Sequence, residues 1–385
     1  MLKRITLSTL ILSNLFANSA FDDYKHAAEV NFAKEKLAFQ NYKRAQEKAF
    51  QNYTKELEKY WKKPLITTKK QLVSYAKDDK SRSVIDFEKN KLTIQTVAKN
   101  KKEAQQNLAL ALAQAVTFDT NDFYHKDKLA QAYTKIDKSN HLALSKIEKE
   151  PVLAPVFFKK APTKETLYKF VKKELKPTKI SVKNSPKQQN AKVYTLQINL
   201  PKNTTLRRSQ IYYNSVKKEA YKEQIPMTLV FAIMHSESSF NPMARSHIPA
   251  YGLMQIVPKT AGIDSYYYLY KQKRLVGSSY LYNATNNIKM GAAYLHILYY
   301  SYLKGIKDPT SRLYCTIAAY NTGAGNVAYA FTRTHNTSKA AKIINRLSPE
   351  EVYRKLLRDL QYDEPKQYLI KVRKRIGIYK KLYES

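Results

Sequence analysis

"IPMTLVFAIMHSESSF", residues 225–240, decides the fold of the C-terminal half. Pro226 belongs at a helix start, where a missing N–H costs nothing. The run behind it, through Met234, is apolar on almost every side. A helix hydrophobic all round is a buried one. Glu237 falls near its C-terminal end, just before "SSFNP" breaks it. Two effects raise a carboxyl pKa there: desolvation by apolar neighbours and the negative pole of the helix dipole. A carboxyl kept neutral near pH 7 can donate a proton, which is the task of a general acid. The plain alternative is a glutamate that faces water where the helix stops.

Working outward, the only acids between Ile225 and Asn345 are Glu237, Asp264 and Asp308. Ordinary glycosidases need two carboxyls. Asp308, in "KDPTS", reads as a helix cap, and Asp264, in "GIDS", as a cap or turn. One candidate is left, and one suffices only if the substrate brings its own nucleophile. In "YGLMQIVPKTAG" (251–262) a glycine permits close backbone approach, with Met254 and Gln255 expected on a short helix. The Gln255 amide can bond sugar hydroxyls or acetamides at both ends. Its alternative is a helix turn that packs Leu253 and Ile256. "CTIAAYNTGAGNV" (315–327) reads as an apolar helix ending at Tyr320 and Asn321, with Gly323 and Gly325 closing it. Tyr320 and Asn321 are then placed to project into a cleft.

The chain has 385 residues, 68 Lys and Arg against 31 Asp and Glu, and a net charge of +37. Such a surplus attracts polyanions: nucleic acid, anionic lipid or an acidic wall polymer. No zinc-finger, helix-turn-helix or aromatic-basic signature supports nucleic acid. Residues 1–20 read as a secretory signal, with "MLKR", the apolar "ITLSTLILSNLFA" and small residues at "ANSA". Cys315 is the single cysteine, so no internal disulfide is possible, and an N-terminal lipid anchor is not expected. The His residues fall into no zinc-ligand spacing, so neither metal nor cofactor is expected.

The N-terminal half opens with an amphipathic helix expected from Phe21 to Lys63, stopped by Pro64. "RSVIDFEKNKLTIQTVA" (82–98) reads as two strands about a turn, "KKEAQQNLALALAQAV" as a helix and "AKVYTLQINLP" (191–201) as a strand. The proline-dotted stretch from Glu150 to Asn190 suggests irregular connections. After Asn203 the pattern is helical, with short loops. The chain is therefore mainly α: a signal at 1–20, an α+β accessory domain at 21–200 and an all-helical catalytic domain at 201–385.

Glu237-Ser238 with "SSFNPMARS", then "GLMQIVPKTAG", "NNIKMGAAYL" and "AAYNTGAGNV", in this order, resemble the lytic murein transglycosylase family with its goose-type lysozyme-like fold. "YWKKP", "LVSYAKDD" and "SRSVIDFEKNKLTIQT" resemble the accessory domain of one membrane-bound member. The resemblance implies that Glu237 is the sole catalytic acid and base. It implies that Ser246 bonds near the reacting N-acetylmuramic acid, that Met254 and Gln255 line the glycan groove, and that Tyr320 and Asn321 stand beside the acid. Tyr368, in "KQYLIKV", would close the site, and Ser238 would cap and orient rather than react. The implied reaction breaks the β-1,4 bond from N-acetylmuramic acid to N-acetylglucosamine in peptidoglycan, closing a 1,6-anhydro ring without water or cofactor. A periplasmic location follows from the signal.

Two features depart from the family. The membrane-bound member is a lipoprotein, whereas no cysteine follows the signal here; peripheral electrostatic attraction to wall or membrane would take the anchor's place. Tyr251, ahead of "GLMQ", is expected to narrow one end of the groove. The rival readings are a hydrolytic muramidase on the same fold, with Asp264 positioning water, and a non-catalytic wall-binding protein. Oligomeric state is not legible.

Overall fold

The computed structural model describes Leu37, residues 40–246 and residues 249–384. The signal and the front of the helix expected from Phe21 lie outside the described residues. The chain divides into two compact units, Met1–Tyr53 and Thr54–Ser385. The described part of the first is helical over residues 40–53. In the second, helix persists only to residue 57, short of Lys63. Trp61 is buried there and its indole N–H donates to the Asp79 carbonyl at 2.7 Å, which draws the chain off the helical path.

Five antiparallel strands follow: β1 (Gln71–Tyr75), β2 (Ser81–Asp86), β3 (Lys91–Ala98), β4 (Ile180–Asn184) and β5 (Lys192–Asn199), in the order β1-β2-β3-β5-β4. Alternation marks β3 and β5. Leu92, Ile94, Leu196 and Ile198 are buried on one face, under the helix α1 (Lys101–Thr117) with its buried Leu108 and Leu112. The opposite face carries Thr93, Gln95, Thr195 and Gln197 and is half-buried or exposed. β1 and β4 were not expected. β4 is an edge strand with exposed residues along most of its length, so it carries no apolar period to read. The stretch expected to be irregular also holds a helix at Lys164–Glu174, capped by Thr163.

The helical half surrounds α2 (Met227–Glu237), whose Leu229 to Met234 are all buried. α3 (Ala284–His296), α4 (Pro309–Thr322) and α5 (Asp363–Tyr383) complete its setting. α5 packs along α2 through Tyr379 and Tyr383, whose rings lie 5.3 and 4.8 Å from that of Phe231. Asp308 caps α4 by accepting from the Ser311 N–H at 2.6 Å. Asp264 sits in the first turn of Ile263–Tyr270 and accepts from the Tyr302 hydroxyl at 3.0 Å. Between α2 and Pro258 the connection is long, not short, and is held by turns and isolated bridges.

Buried polar contacts weld the sheet half to the helical half. The Arg208 guanidinium donates to the Phe240 and Val152 carbonyls. Arg245 and Asp127, both nearly sealed from solvent, lie 3.5 Å apart. Asp137 accepts from the Ser278 N–H and hydroxyl at 2.7 and 2.6 Å.

Candidate active site

Glu237 is the last residue of α2 and only 6% exposed. Burial pushes its carboxyl above the usual range; Lys69, Tyr368 and Lys70 pull the other way, and Glu364 adds to the rise. The Lys69 ammonium stands 3.7 Å from Oε2 and is itself partly exposed. Both lysines come from the segment leading into β1.

Lys70 grips the helix as well as acting on the carboxyl. Its Nζ donates to the carbonyls of His235 (3.0 Å) and Ser236 (2.7 Å) and to Ser239 Oγ (3.1 Å). The last carbonyls of a helix have no partner within it, and a cation there also meets the negative end of the dipole. Burial and the nearby Arg375 bring Lys70 down to about 8. Arg375, from α5, donates to Ser236 Oγ at 2.8 Å. Burial, Arg375 and Lys70 drive the His235 imidazole down to about 3, so it is neutral at pH 7. The helix end that holds the acid is thus ringed by cations.

The loop after α2 is fixed from both sides. Ser238, fully buried, donates its hydroxyl to the Leu253 carbonyl at 2.7 Å and accepts from the Phe240 N–H. Residues 252–255 form a turn, not the short helix expected for Met254 and Gln255. Tyr251 and Ile256 exchange backbone hydrogen bonds at 3.1 Å, with Gly252 at φ +76° and Gln255 at φ +50°. Those left-handed positions cannot continue a helix. A Cβ on Gly252 would also fall 2.3 Å from Asn287 Nδ2. Asn287 is the clamp: Oδ1 accepts from the Met254 N–H, and Nδ2 donates to the carbonyls of Tyr251 and Leu281, each at 2.8 Å.

Met254 is fully buried, its thioether lodged against Gly291. What it turns toward the site is its carbonyl, which accepts from the Tyr320 hydroxyl at 2.8 Å. Gln255 donates to the Gly252 carbonyl at 3.0 Å, and its Oε1 is buried with no donor among the described residues. Burial and the Glu237 charge hold both Tyr320 and Tyr368 well above the ordinary phenol value. The Tyr368 hydroxyl lies near enough to the Glu237 carboxyl for each to shift the other, although it makes no hydrogen bond of ordinary geometry. Ser246 lies half-buried on the loop, with its N–H on the Ala250 carbonyl. Asn321, in the last turn of α4, is half-buried beside Tyr320. Tyr251 is buried, its ring 5.4 Å from that of Tyr282, so its bulk fills the core instead of narrowing a groove.

The fold therefore brings Glu237, Tyr320, Tyr368 and the Met254 carbonyl together, with Gln255 on the adjoining turn. Sequence reasoning missed Lys69, Lys70, Arg375 and Asn287. "NNIKMG" was the one signal available for Asn287, because its spacing to Gly291 serves the same turn from both ends.

Residues 214–343 match the Transglycosylase SLT domain. Membrane-bound lytic murein transglycosylase C of Sodalis glossinidius (strain morsitans) is 33% identical over 313 residues, covering 80% of this chain and 82% of that protein. The chain belongs to the lytic murein transglycosylase family. The same-named protein of Salmonella typhimurium is 32% identical over 330 residues, covering 82% of this transglycosylase and 84% of its own length. Among solved structures, lytic transglycosylase Slt of Pseudomonas aeruginosa is 26% identical with a TM-score of 0.33, over 47% of this chain and 28% of that one. Family membership rests on the sequence relatives. The transglycosylase is accordingly a peptidoglycan-cleaving lyase, mainly α, with a helical half and an α+β half. No helix of its described residues is long and apolar enough to cross a membrane.

Proposed function

We propose that this transglycosylase cuts the N-acetylmuramic acid–N-acetylglucosamine β-1,4 bond in the periplasm, with Glu237 as its one acid and base. The observation that carries the reading is a carboxyl buried at a helix C-terminus and pushed toward its neutral form, with exposed Glu364 adding to the rise. Protonated Glu237 gives its proton to the glycosidic oxygen as the C1–O bond breaks, and the leaving sugar departs as an alcohol. The positive charge left at C1 is shared by the substrate's own acetamide. The Glu237 carboxylate then takes the proton of the C6 hydroxyl while that oxygen bonds C1, which closes the 1,6-anhydro ring and restores the acid.

Each half of the cycle needs a different ionisation state. Burial favours the acid, and Lys69 at 3.7 Å favours the carboxylate, so neither state is out of reach. Tyr320 and Tyr368 stay protonated and serve as donors. The open acceptor on Gln255 Oε1 suits an acetamide N–H or a sugar hydroxyl. Ser246 and Asn321 are assigned to the flanks of the groove. A basic surface, +37 over the whole chain, supports peripheral attraction to wall or membrane.

The test is mass spectrometry of purified peptidoglycan digested with wild type and with Glu237→Gln. Anhydromuropeptides are expected from wild type, with turnover lower by about 10²–10⁴-fold in the variant. Reducing-end products would make the protein a hydrolase instead. Full activity in the variant would remove Glu237 from the chemistry.

A further inference from the structure

The face of the sheet away from α1 carries a polar row across four strands, flanked by Val84, Val97 and Val193. Pairing sets Arg82 opposite Gln95, Gln95 opposite Thr195 and Thr195 opposite Ser181, a row that crosses four strands. The row is bonded within itself, from Arg82 Nε to Gln95 Oε1 at 2.9 Å and from Gln95 Nε2 to Thr195 Oγ1 at 3.0 Å. Over it lies an open cavity of about 460 Å³, whose wall includes Lys62, Lys63 and Lys183 and no acid.

Arg82 is the anomaly in this wall. It is 8% exposed, and its guanidinium lies 3.9 Å over the Trp61 ring. Nη1 donates to the Lys63 carbonyl and toward the Tyr75 hydroxyl, and Nη2 meets no acceptor among the described residues. No carboxylate pairs with it among the described residues, whereas buried Arg245 has Asp127. A buried guanidinium without a counter-charge is costly. With Nε and Nη1 engaged and one face on Trp61, the Nη2 edge of the fork is the part left for an anion.

We propose that this sheet face is a carboxylate-binding site for the peptide stems of peptidoglycan. The proposal rests on the family's substrate and not on the role of Glu237. A stem peptide carries carboxylates for Arg82 and the lysines, and amides for Gln95, Gln197 and Asn184, which share the wall. An anionic lipid surface is the other source of negative charge. Lipid-facing sites set bulky apolar side chains among their cations; here Trp61 is buried under Arg82, Tyr60 and Val193 are half-buried, and the fully exposed wall is lysine, amide, serine and proline. The site would hold a strand by its peptides while the glycan backbone is processed elsewhere on the molecule.

The experiment is titration calorimetry of the full chain with a free stem tetrapeptide, beside the same peptide with its carboxyls amidated. The expected result is binding of the free peptide alone, weakened about tenfold or more in the triple variant Lys62→Gln, Lys63→Gln, Lys183→Gln. Those lysines are exposed, so the triple variant tests the site without risking the fold. Arg82→Lys, which keeps charge but loses the fork, is expected to weaken binding as well. Equal binding of the amidated peptide, no binding at millimolar concentration, or an unchanged triple variant would overturn the proposal. Capture by phosphatidylglycerol vesicles that the triple variant loses, with no peptide binding, would assign the face to lipid. Anhydromuropeptide formation is read separately, so failure here leaves the Glu237 chemistry standing, and the reverse.

Discussion

The Lys69 ammonium, 3.7 Å from Glu237, favours the carboxylate against burial and against Glu364. Lys70 and Tyr368 act in the same direction as Lys69, while Arg375 acts mainly on Lys70 and His235. Removing a nearby cation disfavours the anion, so the carboxyl titrates higher and the protonated acid persists to higher pH. In Lys69→Met the alkaline limb of kcat/KM against pH is expected to move up by roughly one pH unit, and Lys69→Arg to leave it in place. A downward or absent movement would show that Lys69 is a bystander. Glu237 itself was legible in the sequence because an acid directly behind an apolar run stands out against its surroundings. Lys69 was not, since lysine is everywhere in this chain and nothing local marks one that reaches across the fold.

At the scale of elements, the turn at residues 252–255 depends on residues far along the chain. α3 offers Asn287 to bind the turn's backbone and Gly291 to admit the Met254 thioether. A Cβ at Gly291 would lie 2.1 Å from Met254 Sδ. Gly291→Ala is therefore expected to cost about 1–3 kcal/mol by overpacking, read by urea denaturation, and to lower turnover by disturbing the carbonyl that holds Tyr320. Wild-type stability in that variant would mean the thioether moves aside freely. The strands β2, β3 and β5 and the buried helix α2 were legible because burial writes a period, or an unbroken apolar run, into their residues. The "GLMQ" turn was misread as helix because a non-glycine at positive φ, here Gln255, is uncommon and leaves no compositional mark. β4 escaped for the opposite reason to α2: an exposed edge strand buries too little to show alternation.

At the scale of the whole molecule, the sheet half and the helical half share buried polar contacts that neither could satisfy alone. Asp127 caps the helix that begins at Lys128 and also faces buried Arg245. Asp127→Asn keeps a capping side chain but removes the charge. It is expected to cost about 3 kcal/mol, and calorimetry should show one transition moved to lower temperature. A split into two transitions would mean that the halves unfold independently. The composition announced a basic protein with ample material for a core. The joint between the halves was not legible, because Arg208, Asp137 and Arg245 find their partners only once both halves are folded.

The clamp that Lys70 places on the end of α2 also fixes an order of events. Its contacts with His235, Ser236 and Ser239 span 165 to 169 positions of the chain. Contacts between such distant positions close late, after local helices have formed. A chain emerging N-terminus first therefore shows Lys70 long before the helix it will grip, and α2 can form before its last carbonyls are held. The finished end of α2 appears only when the two ends of that span have met. Until then the protein is a helix bundle in the making and not yet a cutter of walls.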